Sequence, residues 1–374
     1  MKSGVLFLGI LFLSISTSAA ESALDPFNAA LQGLKNSEPM TRRQAAEDLG
    51  NLKRPEAGPF LVSALDDANA LVRGAALEAI GRLRAPVGTR VAKLLSSDPD
   101  AYVRQNAATI LAYLRDPAAG PALVGALKDA APGVRYSAAR TLGVMGYPGA
   151  VGPLSAALKD ADPGMRRTAA AALGPLQAAA AAPALEALIA REPDPNVRAE
   201  AARALGTLPA ARRADGNQTL LTTLSDEQPM VRLQAALALG KVGVSSGIPV
   251  AAALLSHSDP GVRQEAAGVL AITADPKTGL AALEGAAKTE KDPAVLGALS
   301  AAASQIRARF GIPEPAPPVP PAPKAPAASK AAAVPGKAPA KPVLFKPASV
   351  KPSAKPPVKA APPPKTSPKK VPKK

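Results

Sequence analysis

Few residues of this chain have the type and spacing to do chemistry. Gly243-Val244-Ser245-Ser246-Gly247 carries the G-x-S-x-G pattern that lifts a serine hydroxyl onto a sharp turn, and His257, the single histidine, follows it. Acyl transfer from such a serine requires a strand running into the turn and a carboxylate behind the histidine. Here the pattern falls between two stretches of helical periodicity, where Gly and Ser are ordinary connectors. No nucleophile is expected, and His257, just ahead of a helix start, reads as a solvated loop residue. The 374 residues include no cysteine, which removes disulfides, thiolate nucleophiles and cysteine metal sites at once. No Gly-rich phosphate loop followed by Lys-Ser or Lys-Thr occurs either. The chain is read as having no cofactor and no catalytic residue.

What does recur at fixed spacing is arginine. Arg42, Arg73, Arg104, Arg135, Arg166, Arg198, Arg232 and Arg263 follow one another at intervals of 31, 31, 31, 31, 32, 34 and 31 residues. A period in this range marks a stack of short structural units, each unable to bury its own apolar face. Their reading is structural: guanidinium groups that satisfy helix ends and carboxylates.

The elements that position these arginines follow from the residues around them. Asp-Pro pairs at Asp162, Asp194, Asp259 and Asp292 place an N-cap residue before a proline suited to the first helical turn. Counting from each arginine, offset −1 is mostly valine, offset +3 is alanine in all eight copies, and offset +7 is leucine or isoleucine. Offsets −1, +3, +4 and +7 share one face of a helix, which must be buried. Glycine at offset +8, from Gly50 to Gly240, is expected to end that helix as a left-handed C′ residue. A second apolar stretch precedes each unit, as in Pro121–Ala130. The fold class is therefore all-α, an α–α superhelix of about eight to nine stacked helical hairpins.

These units resemble the HEAT-like repeats of phycobilisome lyases, whose consensus is close to D-P-x-V-R-x-x-A-A-x-A-L-G, over about Asp25 to Phe310. The resemblance implies that Asp162, Asp194 and Asp259 and the eight arginines form a ladder between neighbouring repeats. It also implies that the second helix of each hairpin lines the concave side. A ninth unit at Asp292 has Leu296 in place of the arginine and reads as a C-terminal cap, with Leu24 to Leu34 as the first helix at the other end. HEAT-repeat enzymes that hold two irons through His-Glu pairs are excluded, because no such pair occurs.

Both ends differ from the body. Residues 1–20 join Lys2, an apolar run and Ser18-Ala19-Ala20, the pattern of a cleavable secretory signal, so the protein is expected to be exported to a periplasm or beyond. Export argues against a bilin lyase, whose pigment-carrying partners are cytoplasmic. Residues 313–374 hold thirteen lysines and one acid, Glu314, so most of the +16 net charge lies there and the repeat body, 21–312, is nearly neutral. Rich in Pro, Ala and Lys, this tail is expected to be disordered, with much polyproline II. Val343, Leu344 and Phe345, its one apolar cluster, form a candidate docking motif.

What remains is surface. Offsets +1, +2 and +5 escape the buried stripe, and Gln105, Asn106, Thr109, Tyr136, Ser137, Arg140, Arg167, Thr168, Glu200 and Arg203 make the candidate protein-binding face. Tyr136 and the arginines supply hot-spot residue types. The functional expectation is a monomeric, non-enzymatic exported scaffold that binds an unknown protein on this face. Its tail would associate with anionic polymers or a membrane surface. The alternatives are a nucleic-acid-associated protein, using the tail on phosphates, and a lyase-type enzyme or chaperone.

Overall fold

The computed structural model describes residues 25–209 and 214–315. The signal reading of 1–20, the tail beyond 315 and its motif Val343-Leu344-Phe345 lie outside the described residues.

Eighteen α-helices and no strand are found among the described residues, and they pair into nine hairpins. First helices are α1 (Pro26–Gly33), α3 (Gly58–Ala64), α5 (Gly88–Ser97), α7 (Gly120–Ala126), α9 (Val151–Ala157), α11 (Ala182–Arg191), α13 (Ala214–Thr223), α15 (Ile248–Leu254) and α17 (Pro276–Ala287). Second helices are α2 (Pro39–Leu52), α4 (Ala70–Leu83), α6 (Ala101–Leu114), α8 (Pro132–Met145), α10 (Pro163–Leu176), α12 (Pro195–Leu205), α14 (Pro229–Lys241), α16 (Pro260–Thr273) and α18 (Pro293–Phe310). Each second helix packs on the next, giving one continuous layer.

The second helices start where the caps are. The carboxylates of Asp100, Asp162, Asp194, Asp259 and Asp292 accept the backbone N–H groups of Tyr102, Gly164, Asn196, Gly261 and Ala294 at 2.7–2.9 Å. Each thereby satisfies a donor that the first helical turn leaves orphaned. Behind the caps, Ala76, Ala107, Ala138 and Ala169 are fully buried, as are Leu49, Ile80, Leu111, Leu142 and Leu173 one turn on. Burial of the −1, +3, +4 and +7 stripe is what the helical periodicity requires.

Only α12 stops at its offset +8 glycine, and Gly206 there is right-handed (φ −63°); the other helices run on past that position. They run about three residues further in five of the repeats, and the left-handed position is offset +11: Lys53 (φ 52°), Arg84 (49°), Arg115 (51°), Gly146 (64°) and Gln177 (54°). The +8 glycines are instead points of close approach within the second-helix layer. A Cβ at Gly50 would sit 2.7 Å from the Cβ of Ala79, one at Gly81 would sit 2.7 Å from Ile110 Cδ1, and one at Gly143 would sit 2.8 Å from the backbone of Ala172. Thr141 ties the same layer together, its hydroxyl donating to the carbonyl of Ala108 at 2.8 Å inside the core.

The apolar interior divides in two at α14. Ala238 and Leu239 belong to the core that runs back to Phe27, while Leu233 and Ala236 belong to the core that runs on to Ile306. Each end of the stack has its own closure. Arg54 lies over the Phe27 ring at 4.2 Å and reaches Asp25 at 3.1 Å. At the far end Arg309 donates to the carbonyl of Ala271 at 2.8 Å, occupying an acceptor near the end of α16. No helix among the described residues is long and apolar enough to cross a membrane.

Candidate protein-binding site

The arginine column has to be accounted for first, because its charges are the commonest feature of the second helices. Arg73 is representative: Nη1 donates to the carbonyls of Asp67 and Ala68 at 2.9 and 3.1 Å, and Nε and Nη2 form a fork on Asp98 of the next hairpin, both at 2.8 Å. The same fork joins Arg42 to Asp67, Arg104 to Asp129, Arg166 to Glu192, Arg198 to Asp226 and Arg263 to Glu290. Each carboxylate also accepts a backbone N–H two residues on, as Asp129 does from Ala131 at 2.8 Å. The ladder thus runs through carboxylates at offset −6 of the following repeat, where Leu296 replaces the arginine after Glu290, not through the N-cap residues Asp162, Asp194 and Asp259, whose oxygens are engaged in starting helices. A recurring acid at offset −6 in the sequence is the signal that marks it.

The arginine forks hold the ladder carboxyls of Asp67, Asp129 and Glu192 below the ordinary carboxylate range. Arg263, helped by backbone N–H groups, brings Glu290 down to about 2. Two rungs lack the fork. Arg135 keeps its carbonyl bonds, to Asp129 and Ala130 at 3.0 and 3.2 Å, but its buried Nε has no partner. Arg232 keeps its own, to Asp226 and Glu227 at 2.7 and 3.1 Å. His257 occupies the place of its carboxylate, accepting the N–H of Asp259 through Nδ1 at 3.1 Å. His257 is accordingly a member of the turn rather than a free loop residue. Ser245, in the connector Ser245–Gly247, lies at the opposite end of α15 from it.

The structure gathers only part of the ten-residue face. Thr109, Ser137 and Arg140 come together on an open groove of about 530 Å³ between α6 and α8. Gln105, Arg167 and Arg203 are exposed but lie outside that groove. Tyr136 is half-buried and its hydroxyl donates to the Asp162 carboxylate of the next hairpin; Asn106 has a buried, unpartnered Nδ2; Thr168 donates to the carbonyl of Gly164 at 2.7 Å; Glu200 pairs with Arg203.

Sequence reasoning missed the rest of the groove: Arg84, Ala112, Tyr113, Arg115, Thr141 and Val144. Tyr113 and Val144 are 59% and 50% exposed and border the same groove, and exposed apolar groups carry meaning where they cluster. Arg84, Arg115 and Arg140 are exposed, and none is in an ion pair or side-chain hydrogen bond among the described residues. Tyr113 and Val144 are at offset +9, and Arg84 and Arg115 are at +11. A helix taken to stop at +8 leaves these positions out of any face, although arginine stands at +11 in two successive units.

A stack of antiparallel hairpins with an asparagine- or aspartate-capped second helix and an arginine rung between neighbours defines an α-solenoid of short repeats. The family of HEAT repeats matches residues 27–93, 88–158, 132–206 and 217–304, and the chain belongs to it. No match is found among curated proteins. Among solved structures, the chain is similar to an engineered protein, at 22% identity over 77% of this chain and 92% of that one, with a TM-score of 0.43. It is similar to the complex of CpcE and CpcF of phycocyanin lyase from Nostoc sp. PCC7120, at 25% identity over 63% and 97%, with a TM-score of 0.38. It is also similar to human deoxyhypusine hydroxylase, at 26% identity over 58% and 84%, with a TM-score of 0.30.

Proposed function

We propose that this protein is an exported, non-enzymatic scaffold that binds another protein along its second-helix layer, with a cationic tail that associates with anionic envelope material. The observation that carries the reading is the groove between α6 and α8. It sets exposed Tyr113 and Val144, on two hairpins joined to each other by the Arg104–Asp129 rung, beside three exposed arginines. Aromatic and arginine side chains held by a rigid support are the residue types that dominate binding energy at protein interfaces. The export pattern at residues 1–20 and the thirteen tail lysines support the envelope assignment.

The test uses the full chain. Wild-type protein should retain a partner from envelope extracts, and Tyr113→Ser with Val144→Ser should lose it at an unchanged melting temperature. Loss of binding together with fold would make these residues structural. Deleting the chain after Pro315 should abolish retention on anionic vesicles, and full-length retention should fall steeply with salt, as counterion release demands. Recovery of the intact, uncleaved chain with DNA would favour the nucleic-acid reading instead.

A further inference from the structure

Most arginines of the described repeat body have partners; Arg167 and Arg191 stand apart without one, and three more gather at one place. Ladder arginines each hold two carbonyls, and six of them also hold a carboxylate. Arg84, Arg115 and Arg140 hold no partner among the described residues, and all three border the same groove. A concentration of unpaired guanidinium groups is a field awaiting anions, and the planar fork of arginine fits a carboxylate in two bonds. Between these charges lie Tyr113 and Val144, so the occupant brings apolar side chains as well as negative ones. The protein's own tail cannot supply that chemistry, because it carries thirteen lysines against one acid. A nucleic-acid strand would call for successive aromatic platforms, and among the groove residues Tyr113 is the only aromatic.

Spacing narrows the occupant further. Arg84 and Arg115 occupy the same offset, +11, in successive hairpins, and packed helices stand about 8–10 Å apart. An extended peptide advances about 3.3 Å per residue. Carboxylates about three residues apart therefore match the two arginines.

We propose that this groove binds an extended acidic segment of a partner protein, with carboxylates on Arg84, Arg115 and Arg140 and an apolar side chain between Tyr113 and Val144. The proposal rests on the reading of the second-helix layer as a protein-binding surface and adds the chemistry of the partner.

The probe is a labelled peptide, Ala-Glu-Ala-Leu-Glu-Ala-Leu-Glu, titrated onto the full chain by anisotropy at 0.15 M salt. The comparison is the full chain carrying Arg84→Gly, Arg115→Gly and Arg140→Ala. The tail is common to both, so its own attraction for acid cancels in the difference. Glycine suits the left-handed backbone at residues 84 and 115, so the variant should keep its fold, checked by melting. Wild type should bind at least tenfold more tightly, and a peptide with its three acids adjacent should lose most of that advantage. Equal affinities overturn the proposal. It is also overturned if a single-stranded oligonucleotide of equal charge shows the larger dependence on the three arginines, or if wild type self-associates through them, since phosphate or a second copy is then the occupant. Should the peptide be indifferent to the arginines while partner capture still depends on Tyr113 and Val144, the interface reading stands and the acidic assignment alone falls.

Discussion

At Arg263 all three guanidinium nitrogens are engaged: Nη1 donates to the carbonyls of His257 and Ser258 at 2.8 and 3.0 Å, and the fork of Nε and Nη2 rests on Glu290. Arg232 is half used, because His257 stands where that fork would find an acid. The forks that span 25 residues, Arg42–Asp67, Arg73–Asp98 and Arg104–Asp129, all end on aspartate, although Asp160, 25 residues beyond Arg135, makes no fork; longer spans end on Glu192, Glu290 and Asp226. Arg232 and His257 are 25 apart. His257→Asp should therefore stabilise the protein by roughly 1–2 kcal/mol, the net worth of a charge-assisted pair in a part-buried site. Urea denaturation measures it. The gain should vanish in an Arg232→Leu background, and a gain that persists there has another origin. At this scale the sequence displays both members of each rung; the resemblance selected the wrong acid, because N-cap and ladder carboxylates lie only two residues apart and only coordinates show which one the fork reaches.

Helices are legible here by their period, and their ends less so. A glycine after an apolar stripe signals a stop on its own helix, but it also permits contact with the next, and the sequence of one helix does not separate the two. Gly143 decides the matter through Ala172, whose Cα and carbonyl oxygen a new Cβ would meet at 2.8 and 2.9 Å. In an exposed helix interior alanine is favoured over glycine by about 1 kcal/mol; at Gly143 that gain is opposed by displacement of backbone. Gly143→Ala should destabilise by about 1–3 kcal/mol in the manner of overpacking. Gly268→Ala, also mid-helix, has nothing within 4 Å of the new atom and should stabilise by about 0.5–1 kcal/mol. Thermal melts of the two variants should move in opposite directions. A shift of the same sign in both would mean that the layers yield and that glycine serves only the helix it belongs to. The error of three residues in helix length also explains why the groove was only partly foreseen: Thr109, Ser137 and Arg140 lie before the expected stop, and Tyr113, Arg115 and Val144 after it.

Across the described stack, neighbours are held by an apolar seam and by forked ion pairs, and only the second depends on pH. The sign follows from the direction of the shifts. Asp67, Asp129 and Glu192 titrate below the ordinary carboxylate range when folded, and Glu290 at about 2. A depressed carboxyl contributes stability that is complete above its unfolded value, about 4, and is lost as pH falls through its folded value. Stability should be level from about pH 5 upward and decline from about 4 toward 2, several rungs failing over one window. The test is Glu192→Gln, which keeps the shape and one acceptor for Arg166 but removes the charge. Glu192 is a strong choice because its side chain is only 2% exposed against 15% for Arg166. The variant should be less stable than wild type at pH 7 by roughly 1–2 kcal/mol, and the difference should shrink as pH falls through the folded value of Glu192, where the wild-type carboxyl takes up its proton. An undiminished difference at low pH would show that Glu192 acts through packing and its bond to the N–H of Asp194 rather than through charge. The repeats would then be joined by shape alone, and the interval of about 31 residues would record the size of a hairpin and not the reach of an arginine.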